Sequence, residues 1–313
     1  MNHLAIEIAA RPPIPLTAEQ EALLPTAADI EFFETHGWYV SPPVLPESIF
    51  ETVMQGCDRF YRGERDATIP QAEFANWSST DDDSLRNHEF VARQMREFQA
   101  IALNPIIGAI AARLTRNASM RLFEEQLIYK PPQGNDAENV IGWHTDFAYC
   151  SFCNSTTIAA WVPLQDVDVD MGPLVVIDGS HKWEEFHELR NFCVADLDSL
   201  ESELAAAGRT MRPVPMAIKK GQISFHHHHA IHGSYPNHSD RPRIALPVHL
   251  QDGNNQFNPI PNPKGGLFHH HLDRFCRRLA NGHPDYADPT VFPLIWDEAT
   301  YQRQPQRQLE SVV

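Results

Sequence analysis

The 313-residue sequence predicts an α+β fold: helices first, then a sandwich or barrel of short strands. Two observations carry this. Up to about residue 116, apolar residues recur at helical spacing. From about residue 119 they fall into short runs broken by Pro, Gly and Asn. No internal repeat is visible.

In order, residues 1–27 hold Pro12, Pro13, Pro15 and Pro25, which fix φ and lack N–H groups, so this stretch reads as an extended arm. Asp29 is the expected cap of a short helix carrying Phe32, Phe33 and His36, closed by Gly37. Trp38-Tyr39-Val40 reads as a strand. Pro46 suits the first turn of a second helix whose apolar face is Ile49, Val53, Cys57 and Phe60. Residues 62–87, with Asp81-Asp82-Asp83, are polar and irregular and read as a loop that could act as a lid. Val91, Met95, Phe98 and Ala102 mark a third helix, and Asn104-Pro105 starts a fourth through Ile106, Ile110 and Leu114. Strands fit residues 122–129, 156–162, 174–177, 222–225 and 243–249. Residues 184–207 read as an acidic helical insertion, and a late helix is expected around 272–279. The main domain is expected over 28–290, with a tail over 291–313.

Composition narrows the function. Hydrophobic residues make up 42 % of the chain, enough for a sizeable core. Against 25 basic residues stand 41 acidic ones, for a net charge of −16. That argues against nucleic acid and against an anionic membrane surface as partners. Five cysteines at irregular spacing fit a reduced compartment, and no signal-like or membrane-spanning segment is evident, so the cytoplasm is the expected location. The oligomeric state is not readable.

The chemistry concentrates in Gly142-Trp143-His144-Thr145-Asp146. If extended, His144 and Asp146 share one strand face. A second imidazole is needed, and it must come from the stretch Phe225 to His232, where His226, His228 and His232 share one parity and His227 and His229 the other. Spacing alone leaves that choice open. Two imidazoles and a carboxylate on one side of an ion are the ligand set of non-heme Fe(II) oxygenases. Other attractive residues have plainer readings. His181 reads as a turn histidine, and the pair Cys150 and Cys153 lacks the further partners a zinc site needs. Asp166, Asp168 and Asp170 read as a solvated face.

The ordered set Trp143-His144-Thr145-Asp146, Ala160-Trp161-Val162-Pro163-Leu164, Met171-Gly172-Pro173-Leu174, Asp178-Gly179-Ser180-His181-Lys182, His232-Gly233-Ser234 and Arg241-Pro242-Arg243 resembles the phytanoyl-CoA dioxygenase family of Fe(II)/2-oxoglutarate-dependent oxygenases. The likeness extends upstream to Gln126 through Pro132 and covers roughly residues 28–250. It implies a double-stranded β-helix (a cupin-like jelly roll) buttressed by N-terminal helices. It implies that His144, Asp146 and His232 hold iron, with His227 as the alternative distal ligand. Arg243 would take the far carboxylate of 2-oxoglutarate, with Arg241 as its rival, and Ser234, Gln126 and Trp161 would help hold the same cosubstrate. Fe(II), 2-oxoglutarate and O2 are the implied cofactors, with ascorbate as a helper. The carboxylate of Asp146 argues for hydroxylation, desaturation or ring closure over halogenation. The expected substrate is a small, CoA-free metabolite walled by residues 62–87, Phe147 to Cys153 and the segment after 250. A zinc-dependent hydrolase using the same His/Asp set and a non-catalytic jelly-roll binding protein are the competing readings.

Overall fold

The computed structural model describes residues 15–67, 69, 84–133, 139–194 and 196–300. Helix α1 (Ala18–Ala22) is capped by Thr17, so the arm read as extended contains a helical turn. Helix α2 (Ala27–His36) starts one turn earlier than its expected cap: Thr26 is the N-cap, and Asp29 is its partner in a capping box. The Thr26 hydroxyl accepts the Asp29 N–H as a cap does, and the Asp29 carboxylate reaches back to the Thr26 N–H. Helix α3 (Glu47–Tyr61) buries Val53, Cys57 and Phe60 as its spacing predicts.

The third expected helix is broken into a 3-10 turn at Val91–Arg93 and a short helix α4 (Gln99–Ala102). All four of its marker residues are buried, so their spacing reports burial on a folded-back segment rather than a continuous helix. Helix α5 (Pro105–Thr115) is capped by Asn104, with proline at its first position, as predicted. Residues 184–207 hold a 3-10 turn and one helix of their own, α7 (Ser199–Ala206), and the late helix reduces to a 3-10 turn at His271–Arg274.

The strands are β1 (Trp38–Val40), β2 (Arg86–Glu89), β3 (Ser119–Lys130), β4 (Ile141–His144), β5 (Thr157–Pro163), β6 (Val175–Ile177), β7 (Pro213–Pro215), β8 (Ser224–His227), β9 (His232–Ser234), β10 (Arg243–Asp252) and β11 (Leu294–Asp297). They form two antiparallel sheets. The larger runs β1-β8-β5-β10-β3-β11, with β2 also on β3; the smaller runs β4-β9-β6-β7. This is the predicted jelly-roll class, with the sheets not closed into a barrel. Strands also lie where none was expected, among them β2, β7 and β11. β2 ends the stretch read as loop, and β11 draws the expected tail onto β3. Most of the proposed lid, residues 70–83, lies outside the described residues.

Strand alternation divides the larger sheet into two faces. Leu122, Leu127, Ile158, Ala160, Val162, Phe225, Ile244, Leu246, Val248 and Leu250 point outward and join the helices in the main core. Their alternates point inward: Glu124, Gln126, Ile128 and Lys130 on β3; Thr157, Ala159 and Trp161 on β5; His226 on β8; Arg243, Ala245, Pro247 and His249 on β10. A polar inner face between two sheets is where this fold places its site.

Candidate active site

Three side chains meet at the inner side of the smaller sheet. β4 and β9 pair antiparallel with His144 opposite His232, and the two rings lie 4.1 Å apart between centroids. The ligand atoms of His144, Asp146 and His232 all fall within 4.8 Å of one another. Asp146 does not share a strand with His144. β4 stops at His144, and Asp146 has helical φ and ψ at the start of the one-turn helix α6 (Phe147–Cys150). The carboxylate reaches the imidazoles because the chain bends there, not because of strand parity. Gly142 permits the approach of the 189–194 segment behind β4: a Cβ there would lie 1.9 Å from the Asn191 carbonyl oxygen. That segment in turn accepts the Gly142 and Thr145 N–H groups.

The hydrogen bonds select one tautomer of each imidazole. His144 Nδ1–H donates to the Gly142 carbonyl at 2.8 Å, and His232 Nδ1–H donates to the Ala230 carbonyl at 2.9 Å. A carbonyl can only accept, so each ring keeps its lone pair on Nε2. His232 Nε2 stands 3.4 Å from Asp146 Oδ1. A lone pair facing a carboxylate oxygen in a buried space calls for a cation between them. Imidazole nitrogen and carboxylate oxygen are the donors Fe(II) takes. Burial, reinforced by His232, pulls His144 down to about 3, so it is neutral and ligand-ready at neutral pH. Burial pushes the Asp146 carboxyl up, but His232 and His249 outweigh it and hold the group well below its ordinary range.

On the neighbouring wall, Arg243 is 1 % exposed. Its Nη2 donates to the Gly172 carbonyl at 3.2 Å, while Nε and Nη1 have no hydrogen-bond partner among the described residues. Burial without a counter-ion pulls the guanidinium down to about 9. The Ser234 hydroxyl, also buried, is likewise unpartnered. Lys130, opposite Arg243 in the β3–β10 register, is buried too, and its ammonium donates to the carbonyls of Ser234 and Tyr235. Burial and then Arg243 hold Lys130 well below its usual value. Two buried cations side by side with no described carboxylate between them form a receptor for an anion. The Trp161 ring centroid is 5.8 Å from the Arg243 guanidinium carbon. Gln126 lies on the same inner face of β3 as Lys130, opposite Glu89. Arg241 is exposed and faces Asp168 and Asp240, away from this pocket.

The histidine tetrad divides. β8 ends at His227, and the chain then turns, so parity fails beyond that residue. His227, His228 and His229 form a second histidine group. However, His227 Nδ1 accepts the His229 N–H and His228 Nδ1 accepts the Thr157 N–H. The neutral rings then carry their proton on Nε2 and have no lone pair there for an ion. His181 donates to the Glu34 carbonyl from a 3-10 turn. Cys150 and Cys153 are buried beside Phe152, and the Cys150 thiol donates to the Asp146 carbonyl. Asp166 and Asp168 lie near Lys219 on the surface.

Sequence reasoning missed several residues at the site. His249 Nε2 is 3.7 Å from Asp146 Oδ1, and its Nδ1 is 3.6 Å from Glu124 Oε1. Burial pulls His249 down, but Asp146 and Glu124 outweigh it and push it up to about 9. His270 Nε2 donates to the other oxygen of Glu124 at 3.0 Å. His249 shares the parity of Arg243, and Glu124 and Lys130 share that of Gln126. Alternation could therefore have marked all three as facing the same side of the sheet as Arg243 and Gln126.

The family profile for phytanoyl-CoA dioxygenase matches residues 33–245. The peroxisomal phytanoyl-CoA dioxygenase of Bos taurus is 24 % identical over 251 residues, covering 72 % of this chain and 68 % of its own. A probable alpha-ketoglutarate-dependent hypophosphite dioxygenase of Stutzerimonas stutzeri is 29 % identical over 140 residues, covering 41 % of this chain and 44 % of its own. Among solved structures, the alpha-ketoglutarate-dependent carbocyclase SnoK from nogalamycin biosynthesis superposes with a TM-score of 0.63 at 23 % identity, covering 90 % of this chain and 98 % of its own. EctD from S. alaskensis, solved with 2-oxoglutarate and 5-hydroxyectoine, gives a TM-score of 0.57 at 21 % identity, covering 77 % and 80 %. These two share the fold of this chain. The profile match spans more than half of the sequence and embraces every residue described at the site except His249 and His270, and on it the chain belongs to the phytanoyl-CoA dioxygenase family of iron(II)- and 2-oxoglutarate-dependent oxygenases.

Proposed function

We propose that this protein hydroxylates an unactivated C–H bond of a small molecule, with His144, Asp146 and His232 holding iron and Arg243 holding 2-oxoglutarate. The observation that carries the reading is the buried, unpaired Arg243 guanidinium beside the unpartnered Ser234 hydroxyl, on the wall next to the His/Asp set. A hydrolase would have no use for that cation, and a binding protein would have no reason to keep both halves. When bound, iron and 2-oxoglutarate together supply O2 activation, with the keto acid leaving as succinate and CO2, and the oxidising power to break a C–H bond. The chain's own part is positional. The backbone carbonyls of Gly142 and Ala230 fix both imidazole tautomers. Arg243 supplies a planar fork for the far carboxylate, Ser234 adds a hydroxyl, and Trp161 and Gln126 line the space between. The buried inner faces of the two sheets would limit water around a bound ion.

The Asp146 carboxylate stands where a halogenase would bind a halide, which favours hydroxylation, desaturation or ring closure over halogenation. The solved relatives named as a carbocyclase and an epimerase share the fold and set the competing outcomes. The substrate is expected to be a CoA-free metabolite: the chain's charge is −16, and no basic cluster suits a nucleotide phosphate. The test is succinate release from 2-oxoglutarate with Fe(II) and ascorbate, coupled to a mass-spectrometric screen of small metabolites. A product heavier by one oxygen supports hydroxylation. A product lighter by two hydrogens, or of unchanged mass, directs the reading to desaturation, ring closure or epimerisation. No Fe(II)-dependent succinate would remove the oxygenase assignment for this chain.

A further inference from the structure

We propose that His226 is a positioning residue of the metal centre: its Nε2–H donates to the outer oxygen of Asp146 and thereby fixes which carboxylate oxygen faces the ion. This rests on the reading of His144, Asp146 and His232 as ligands. His226 lies on the inner face of β8, held in register by Ala159 of β5 on one side and Trp38 of β1 on the other. Only 3 % of it is exposed. Its Nε2 is 3.4 Å from Asp146 Oδ2, while Oδ1 faces His232. Its ring centroid is 4.2 Å from that of His232. Among the described residues, neither ring nitrogen of His226 has a well-formed hydrogen bond, and neither does Asp146 Oδ2. A buried donor and a buried acceptor without other partners, a few tenths of an ångström beyond hydrogen-bond length, are a matched pair.

The need for such a pair follows from the backbone. Asp146 sits at a bend rather than on a strand, so no sheet register orients its carboxylate. Ligating carboxylates are held by hydrogen bonds on the oxygen remote from the metal, and losing that partner typically weakens metal binding 10–100-fold. The rest of the tetrad is engaged elsewhere: His227 and His228 accept backbone N–H groups, and His229 stacks on His187 at 3.6 Å. Only His226 is aimed at the site.

The test is titration of the apo protein with Co(II), read by its visible absorption, for wild type, His226→Leu and His226→Asn. The expected result is about 10–100-fold weaker Co(II) binding for His226→Leu, with most of it regained by His226→Asn, which keeps an N–H donor. Wild-type affinity in the leucine variant overturns the proposal while leaving the ligand set intact. Failure of the wild type to bind Co(II) overturns the ligand set itself. Should the leucine variant not fold, histidine nitrogen NMR of the wild type loaded with Zn(II) decides. His226 must then be protonated on Nε2 and remain unligated; a metal-bound nitrogen or a proton on Nδ1 overturns the assignment.

Discussion

Arg243 offers five N–H groups and finds one acceptor among the described residues, the Gly172 carbonyl. Among the described residues this desolvated charge has no carboxylate partner, so a bound anion would satisfy it, and such sites trade stability for binding. Replacing it with methionine is expected to raise the melting temperature of the apo protein. The same change should weaken 2-oxoglutarate binding by a hundredfold or more, roughly the 2–5 kcal/mol of a buried charge pair, while Co(II) binding stays intact. Calorimetric titration and a thermal melt check both halves, and normal turnover by this variant would mean that Arg243 is misassigned. Arg243→Lys should not restore binding, since an ammonium cannot present the planar fork.

Among the elements, the turn before β6 bears most directly on the pocket. Gly172 has φ +60, and a Cβ there would lie 2.4 Å from the Tyr235 carbonyl oxygen and 2.7 Å from that of Pro236. The Gly172 carbonyl is also the partner of Arg243, so strain here is transmitted to the guanidinium. Gly172→Ala is expected to destabilise the fold by about 1–3 kcal/mol and to weaken 2-oxoglutarate binding. Urea unfolding and calorimetric titration measure the two effects; an unchanged 2-oxoglutarate affinity would show that the carbonyl does not set the Arg243 geometry. Helix α5 is buried nearly all round, against β3, β11 and α2. Ile110→Ala should cost about 2–5 kcal/mol by urea unfolding without altering ligand affinity in the folded protein. β10 shows a different local device. Its ladder to β3 omits Leu246 and Pro247, and proline has no N–H to give. The strand thus keeps its inward row of Arg243, Ala245, Pro247 and His249 while pairing there only with β5.

Across the whole molecule, the site joins the two sheets. His144 and His232 belong to the smaller sheet and Arg243 to the larger. Metal and 2-oxoglutarate together should therefore hold the sheets to each other. At a hundred times the wild-type dissociation constant, 2-oxoglutarate should add about 2.7 kcal/mol of stability to the Co(II)-loaded wild type and at most about 0.4 kcal/mol to Arg243→Met, as read by thermal melts. Stability should also depend on pH through Glu125, which fastens the Val91–Arg93 turn to β3 by accepting the Ala92 N–H at 2.9 Å. Burial raises its carboxyl to about 7, with Arg93 opposing. The folded state thus holds this proton more tightly than the unfolded chain. Its contribution is complete below about pH 4.5 and is lost as pH rises through 7. Glu125→Gln should flatten that fall, which amounts to roughly 3 kcal/mol, in urea unfolding between pH 5 and 8. An unchanged slope would assign the dependence to other groups.

What the sequence by itself determined was whatever depends on neighbours along the chain. The cap and proline of α5, the closing of α2 at Gly37, the core strands and the order of the motifs were all legible, because local backbone preference and apolar period write them directly. The family resemblance also selected His232 and Arg243, which spacing alone left level with His227 and Arg241. Tertiary structure decided what depends on contacts between distant segments. It placed Asp146 at a bend rather than on a strand and brought β11 onto β3. It split the third helix and made His226 rather than His228 the tetrad member that faces the site. It set Lys130 opposite Arg243 and His249 beside Asp146. Each of these is a pairing of residues far apart in the chain, fixed by sheet register and by the burial of charge, and neither quantity has a signature in any single stretch of sequence.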